Sequence, residues 1–385
     1  MMKGANPTTP RPGAGELPVT FERHPDFYFD DGDIVLQAKL PSGPERRTFQ
    51  LYCVHTTILR FHSDFFSNLF ADAYPGQEPS YEGLPLVHMS DEPEDIVSLL
   101  SYVYNPSEYL LRPGHSDTPL ELHGAVRLAS KYVMDEVRFA IIKRVTMNWP
   151  ISLDDWDLRE GVNAVLNRLV RQRGRHIDAN AWADRALEPM AAIVFAQEHG
   201  CTEILPAAFY MLASIDIDND WDSTGAGAQK YTESPRGARW SLCDKVNLVR
   251  WVKGRKALET YHTSIEIALT DGEMLREDCI PWWTRDFPDP WDEPSIERDM
   301  SNYPCLHLLW TLRDVVWGKK LASFDLLGQL AKLDTHELDP HTANKIEKIC
   351  PGTFCFGCQH NFDNWLDEKR HKLWTSLSGF FDLKK

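Results

Sequence analysis

What this chain lacks narrows its chemistry before any motif is read. Of its 385 residues, 57 are Asp or Glu and only 41 are Lys or Arg, giving a formal net charge of −16. A field of that sign repels polyphosphate, so nucleic acid is not an expected partner without a local basic patch. The densest cationic stretch, Arg168 to Arg175, reads as the exposed face and end of a helix. No run approaches the roughly eighteen apolar residues needed to span a bilayer, so no membrane partner is expected. Residues 1–20 are rich in Pro, Gly and Thr without an apolar segment, and no secretory signal is expected there. Eight cysteines spread over so long a chain do not imply a disulfide framework. A reducing compartment, cytoplasm or nucleus, is the expected location.

Phosphate loops and calcium loops are missing as well. Gly225-Ala-Gly227 follows no strand and lacks a lysine for phosphate. Asp216, Asp218 and Asp220 alternate like the start of a calcium loop, but the sixth place lacks Gly and the twelfth lacks Glu. That segment reads as a solvated turn. What is present is core material: 43% of residues are hydrophobic, with 13 Trp and 18 Phe, enough for two or three packed domains.

Taken in order, residues 1–24 read as a flexible tail. Ile34, Leu36, Ala38 and Leu40 then alternate with Val35, Gln37 and Lys39, the periodicity of a strand. A turn at Pro41 to Pro44 leads to a returning strand, Thr48 to Val54, in which Cys53 reads as a small core residue. A short helix holds Ile58 and Leu59, and Ser63 is placed to cap a second helix. Phe65, Phe66, Leu69 and Phe70 lie on one stripe of that helix, the spacing of a buried face. Tyr74 to Gly83 reads as a polar loop and Leu84 to Met89 as a third strand. Ser90 or Asp91 is expected to cap a helix with Ile96, Leu99, Leu100 and Val103 in its core and a stop at Asn105-Pro106. Leu122, Val126, Ala129 and Val133 make another stripe, and Asp135 starts a helix carrying Val137, Ile141 and Val145 toward Trp149.

Strand, strand, helix, helix, strand, helix, loop, helix, helix is the order of the BTB/POZ fold, and the residues resemble its motifs in register. Asp33-Ile-Val-Leu36 resembles its first strand, and Tyr52 with Val54-His55 its approach to the first helix. Ile58-Leu59 and Ser63-x-x-Phe66 resemble its leucine and serine–phenylalanine signature. Leu100-x-x-Val103-Tyr104 and Ala129-Ser-Lys-Tyr132 are similar to its later helix ends. The resemblance implies an α+β fold, with a BTB/POZ domain over residues 25–149 in which a short mixed sheet is clasped by helices. Its motif and core positions would be Asp33, Val54, His55, Leu59, Ser63, Phe66, Leu100, Tyr104, Ala129 and Tyr132. It also implies protein partners, self-association as a homodimer, and service as a substrate adaptor for a cullin-based ubiquitin ligase. The alternative is a scaffold or co-regulator in transcription, although no zinc-finger array or basic helix for reading DNA is present.

Residues 150–385 read as a mainly helical extension, similar to the carboxyl region of the expanded BTB families of mushroom-forming fungi. Pro189 to Gly200 forms a helix ended by glycine, Ile204 to Tyr210 opens another, and Asp216 to Gly237 lies in a polar loop at about 216–238. Ser241 to Asp244 reads as a capping box, followed by a helix closed at Gly254. The Trp-rich run Pro281 to Trp291 reads as an irregular loop packed on helices. Trp374, Leu377 and Phe380 mark a final helix within a cysteine-bearing segment, 350–385.

Two groups invite a chemical reading. His55 sits at a strand-to-helix junction, with no nucleophile or carboxylate placed beside it by the local pattern, which favours a hydrogen-bonding role over catalysis. Cys350, Cys355, Cys358 and His360 are the zinc candidates: Cys355-x-x-Cys358 has the spacing that lets two thiolates meet one ion. Against them stands a reading as buried thiols at the start of the last helix. Cys279, Cys305 and His307 could supply distant ligands, but no second Cys-x-x-Cys is evident. A metal-dependent hydrolase would also need an open coordination position and a base, which the spacing does not offer. No catalytic residue or cofactor is therefore assigned, and enzymatic activity is not expected.

Overall fold

The structure, a computed structural model, describes residues 19–41, 47–71, 79–107, 116–173, 187–222, 236–279, 303–318, 321 and 324–383. The glycines at 225 and 227 and the Trp-rich run 281–291 lie outside the described residues. The fold is α+β, and the chain divides into two compact units, Met1–Met147 and Asn148–Lys385. Among the described residues, no helix is long and apolar enough to cross a membrane.

The first unit holds a five-stranded mixed sheet. Its strands are β1 (Val19–Tyr28), β2 (Ile34–Lys39), β3 (Arg47–Val54), β4 (Ser80–Tyr81) and β5 (Leu84–Met89), in the order β1-β3-β2-β5-β4. β2 and β3 pair antiparallel from Ile34↔Val54 to Lys39↔Phe49, while β5 and β1 add parallel, one on each side. Simple alternation of buried and exposed residues in β2 does not hold. Val35 and Gln37 are buried along with Ile34, Leu36 and Ala38, because a central strand covered on both faces reads as a continuous buried run.

Residues 1–18 lie outside the described residues, and residues 19–24 are not part of the expected tail, since β1 begins at Val19. Its polar sequence and Pro25 hide it from a periodicity search. The register shift between Arg23 and Tyr28 accommodates the proline, and outer strands and bulges are where proline costs least. β4 was likewise concealed in the expected polar loop; Glu82 and Gly83, both at positive φ, make its two-residue turn into β5.

Helices α1 (Thr56–His62), α2 (Asp64–Ala71), α3 (Pro93–Tyr104), α4 (Thr118–Lys131) and α5 (Asp135–Thr146) complete this unit. Leu59, Ile96, Leu100, Val126, Ala129 and Ile141 are each at most 1% exposed. The expected α2 stripe is only partly inside: Phe66 is buried, but Phe65 and Leu69 face outward, because a two-turn surface helix has one narrow buried edge. Val133 is also exposed, at φ 51 in the break after α4. Glu92, and neither Ser90 nor Asp91, occupies the α3 N-cap position.

The described elements of the second unit are helical apart from one isolated bridge, Asp220↔Ala238. They are α6 (Leu153–Arg173), α7 (Pro189–His199), α8 (Leu205–Ser214), α9 (Lys245–Asp271), α10 (Pro304–Leu312), α11 (Leu326–Ala331), α12 (Pro340–Ile349) and α13 (Phe356–Phe380). α7 and α8 are apolar and buried nearly all round, the signature of helices at the centre of a helical domain. Tyr210 on α8 is fully buried, and its hydroxyl meets Asp325 Oδ1 at 3.2 Å and accepts from Leu327 N at 2.7 Å. The Asp216 and Asp220 carboxylates accept from Asp218 N and Asp222 N in local turns.

The expected stop at Gly254 is overturned. α9 is capped by Asp244, whose carboxylate accepts from Asn247 N at 2.7 Å, and runs to Gly272 in the left-handed region at φ 69. Gly254 lies inside it for a tertiary reason: a Cβ there would meet the Phe381 ring at 1.9 Å.

Two substitutions test these packing assignments. Leu59→Asp, which places an unpaired carboxylate at a site 1% exposed, should cost on the order of 5 kcal/mol and unfold the first unit. Native-like circular dichroism of that variant would locate the core elsewhere. Gly254→Ala should lower stability by about 1–3 kcal/mol through the clash with Phe381, although alanine is the better helix former. A gain of stability in urea titration would contradict the close approach.

Candidate functional site

In the first unit the polar motif residues bind one another. Asp33, just before β2, accepts from Thr56 N and Thr56 Oγ1, each at 2.6 Å. It thereby caps α1 from a distance, since the α1 N-cap residue His55 makes no side-chain cap of its own. The Tyr104 hydroxyl accepts from His55 N at 3.0 Å and lies 3.0 Å from His55 Nδ1. The other ring nitrogen, Nε2, lies 3.3 Å from Asp31 Oδ1. Burial pushes the Tyr104 phenol above its ordinary range, opposing ionisation to a nucleophilic phenolate.

Ser63 joins the helix pair to the end of α4. Its Oγ donates to Tyr132 O at 2.6 Å and accepts from Phe66 N at 3.0 Å. The Phe66 and Tyr132 rings stack with centroids 5.0 Å apart, and the Tyr132 hydroxyl donates to Asp91. Lys131 Nζ also reaches Asp91, at 2.5 Å, so the residue that could have capped α3 instead anchors α4. The remaining motif positions Val54, Leu59, Leu100 and Ala129 are buried apolar residues.

The second unit gathers a different set. The sulfurs of Cys279, Cys305, Cys355 and Cys358 all lie within 4.8 Å of one another. Cys279 ends a short turn after α9, Cys305 stands in the first turn of α10, Cys355 is the N-cap residue of α13, and Cys358 is in its first turn. Cys279 Sγ is 3.9 Å from Cys355 Sγ. Backbone amides point at two of the sulfurs: Arg276 N donates to Cys358 Sγ at 3.4 Å and Cys355 N to Cys305 Sγ at 3.2 Å. Of the sequence candidates, Cys355 and Cys358 are brought together and Cys350 and His360 are not. Cys350 is buried at the end of α12, and His360 pairs with Asn364 on the exposed side of α13.

The thiols differ electrostatically. The Cys358 backbone amide, with help from neighbouring thiols, draws Cys355 down to about 7. Burial pushes Cys305 up to about 11 and raises Cys279 as well. Cys279 and Cys305, which the sequence offered only as distant candidates beside His307, complete the set, and His307 is not part of it; spacing could not single them out, because they lie 76 and 50 residues from Cys355.

For the first unit, Ser63→Ala removes a hydroxyl that serves both Phe66 N and Tyr132 O. A loss of about 1–2 kcal/mol is expected in urea denaturation, and a neutral result would mean that water replaces the hydroxyl without penalty.

Set beside known proteins, the chain matches no family model, no curated protein and no solved structure, so what these groups do is read from their geometry.

Proposed function

We propose that this chain is a non-enzymatic protein–protein interaction module whose first unit is a BTB/POZ-type docking domain pairing with a second copy of itself. The observation that carries this reading is the outward side of the α1–α2 pair, where Phe61, Phe65 and Leu69 are exposed, Phe61 at 81%. Apolar residues bared together on adjoining helices mark a surface that is covered in the working protein. Arg60 and Asp64, opposite in charge and both exposed, stand on either side of Phe61 in sequence. Opposite charges beside an exposed aromatic supply the self-complementarity that a two-fold interface requires. β1 adds an outer strand, paired only with β3 among the described residues, with Val19 and Phe21 exposed. Catalysis finds less support, because the polar motif atoms of Asp33, His55, Ser63, Tyr104 and Tyr132 are already engaged with one another and with the backbone.

Within this reading the pair presents a bound protein to a cullin-based ubiquitin ligase. Co-purification of the full chain with a cullin is the measurement for that role; recovery of a chromatin factor instead favours the scaffold in transcription.

Self-association is tested by light scattering on the full chain at micromolar concentration. A dimer is expected, and Phe61→Asp with Phe65→Asp should weaken it by at least about 100-fold while leaving circular dichroism unchanged. A monomeric native chain overturns the proposal, as does a double variant that remains a dimer.

A further inference from the structure

We propose that Cys279, Cys305, Cys355 and Cys358 bind one zinc ion in a closed tetrahedral site that fastens the turn after α9 and the starts of α10 and α13 together. A zinc–sulfur bond of about 2.3 Å in a tetrahedron places its sulfurs about 3.8 Å apart. The Cys279–Cys355 separation is 3.9 Å, and no pair in the group exceeds 4.8 Å. The four residues come from three separate stretches of chain, so their convergence is a product of the fold rather than of local spacing. Sulfurs this close surround a single ion and leave no room for a cluster of several irons. Thiolate softness selects zinc over magnesium or calcium, and four protein ligands leave no open position for a substrate or water, so the site is structural.

The surroundings fit a bound cation with thiolate ligands. Zinc with four thiolates carries a net charge of −2, and the amides of Arg276 and Cys355 donate to two of the sulfurs, as outer partners of metal ligands do. All four cysteines are free thiols, so no disulfide competes for them here. Oxidising one pair would leave two sulfurs without a role, whereas one ion employs all four. The first turn of α13 has little else to hold it on its outer side: Phe356 is 93% exposed, while Cys358 is buried. Binding is balanced in protons alone. Each thiol gives up one proton to solvent as its sulfur coordinates, four per zinc, and no electron is transferred.

The experiment uses the full chain purified without chelator and analysed by mass-spectrometric metal quantitation. About one zinc per chain is expected in the native protein and in Cys350→Ser and His360→Ala, which lie outside the group. Cys305→Ser with Cys358→Ser should drop zinc at least about tenfold. Because that double variant can misfold, cobalt replacement in the native chain supplies an independent readout. The intense visible bands and near-ultraviolet thiolate-to-cobalt transitions of a tetrahedral tetrathiolate site are expected. Three results overturn the proposal: a native chain without zinc whose cysteines all react freely, a double variant that keeps its zinc, or peptide mapping that finds Cys279 bonded to Cys355. The site lies wholly within the second unit, so its failure leaves the docking reading intact, and a monomeric chain would leave the zinc reading intact.

Discussion

The β2–β3 ladder is the constraint on which the first unit depends. Ile34, Val35, Leu36, Ala38, Leu51, Tyr52, Cys53 and Val54 are all at most 2% exposed, so their backbone amides and carbonyls have no recourse to water. Every such group must be paired, and the antiparallel register with the flanking parallel strands pairs them. The antiparallel register sets Ile34 beside Val54, so Asp33, just before β2, meets Thr56, just past β3, at the same end of the ladder. The cap of α1 is therefore a consequence of strand pairing. Breaking the ladder would remove that cap and with it the support for the helices beyond.

This dependence explains what the polar motif residues do in the fold. His55 and Tyr104 are joined through the Tyr104 hydroxyl, and Ser63 reaches the Tyr132 carbonyl across a separation of 69 residues. Each pair ties a helix end to an element remote in sequence, where apolar packing alone would leave orphaned amides. The same helices leave Phe61 and Phe65 exposed.

The second unit solves its packing differently. Its centre is the α7–α8 pair, enclosed by aromatic side chains: Trp156 lies edge-on to Tyr210 and Phe209 stacks on Phe381. Phe381 reaches its place because residue 254 of α9 has no side chain. Where the turn after α9 meets the starts of α10 and α13, the four sulfurs converge. A metal fastening suits such a place, since coordination holds chain segments together without a large buried surface.

Much of the architecture was legible in the sequence wherever one face of an element is buried and the other is wet. The stripes of α3 and α5 and the first three residues of the α4 stripe are such elements, as is the long terminal helix, while the end of α7 was legible from its glycine alone. Periodicity misled where burial was two-sided, as in β2, or one-sided and narrow, as in α2. It was silent for β1, whose proline and polar residues are tolerable only beside a waiting edge. Half of the sulfur group was readable, because Cys355 and Cys358 are near neighbours in sequence. The other half was readable only as candidates: Cys279 and Cys305 stood beside His307, and which of the three join the pair is decided only when three helix ends meet, just as Gly254 passes for a helix end until Phe381 is seen against it. Local order determined which segments became strands and helices. Which distant side chains touch was decided only by tertiary packing, because proximity across fifty or more residues leaves no trace in local spacing.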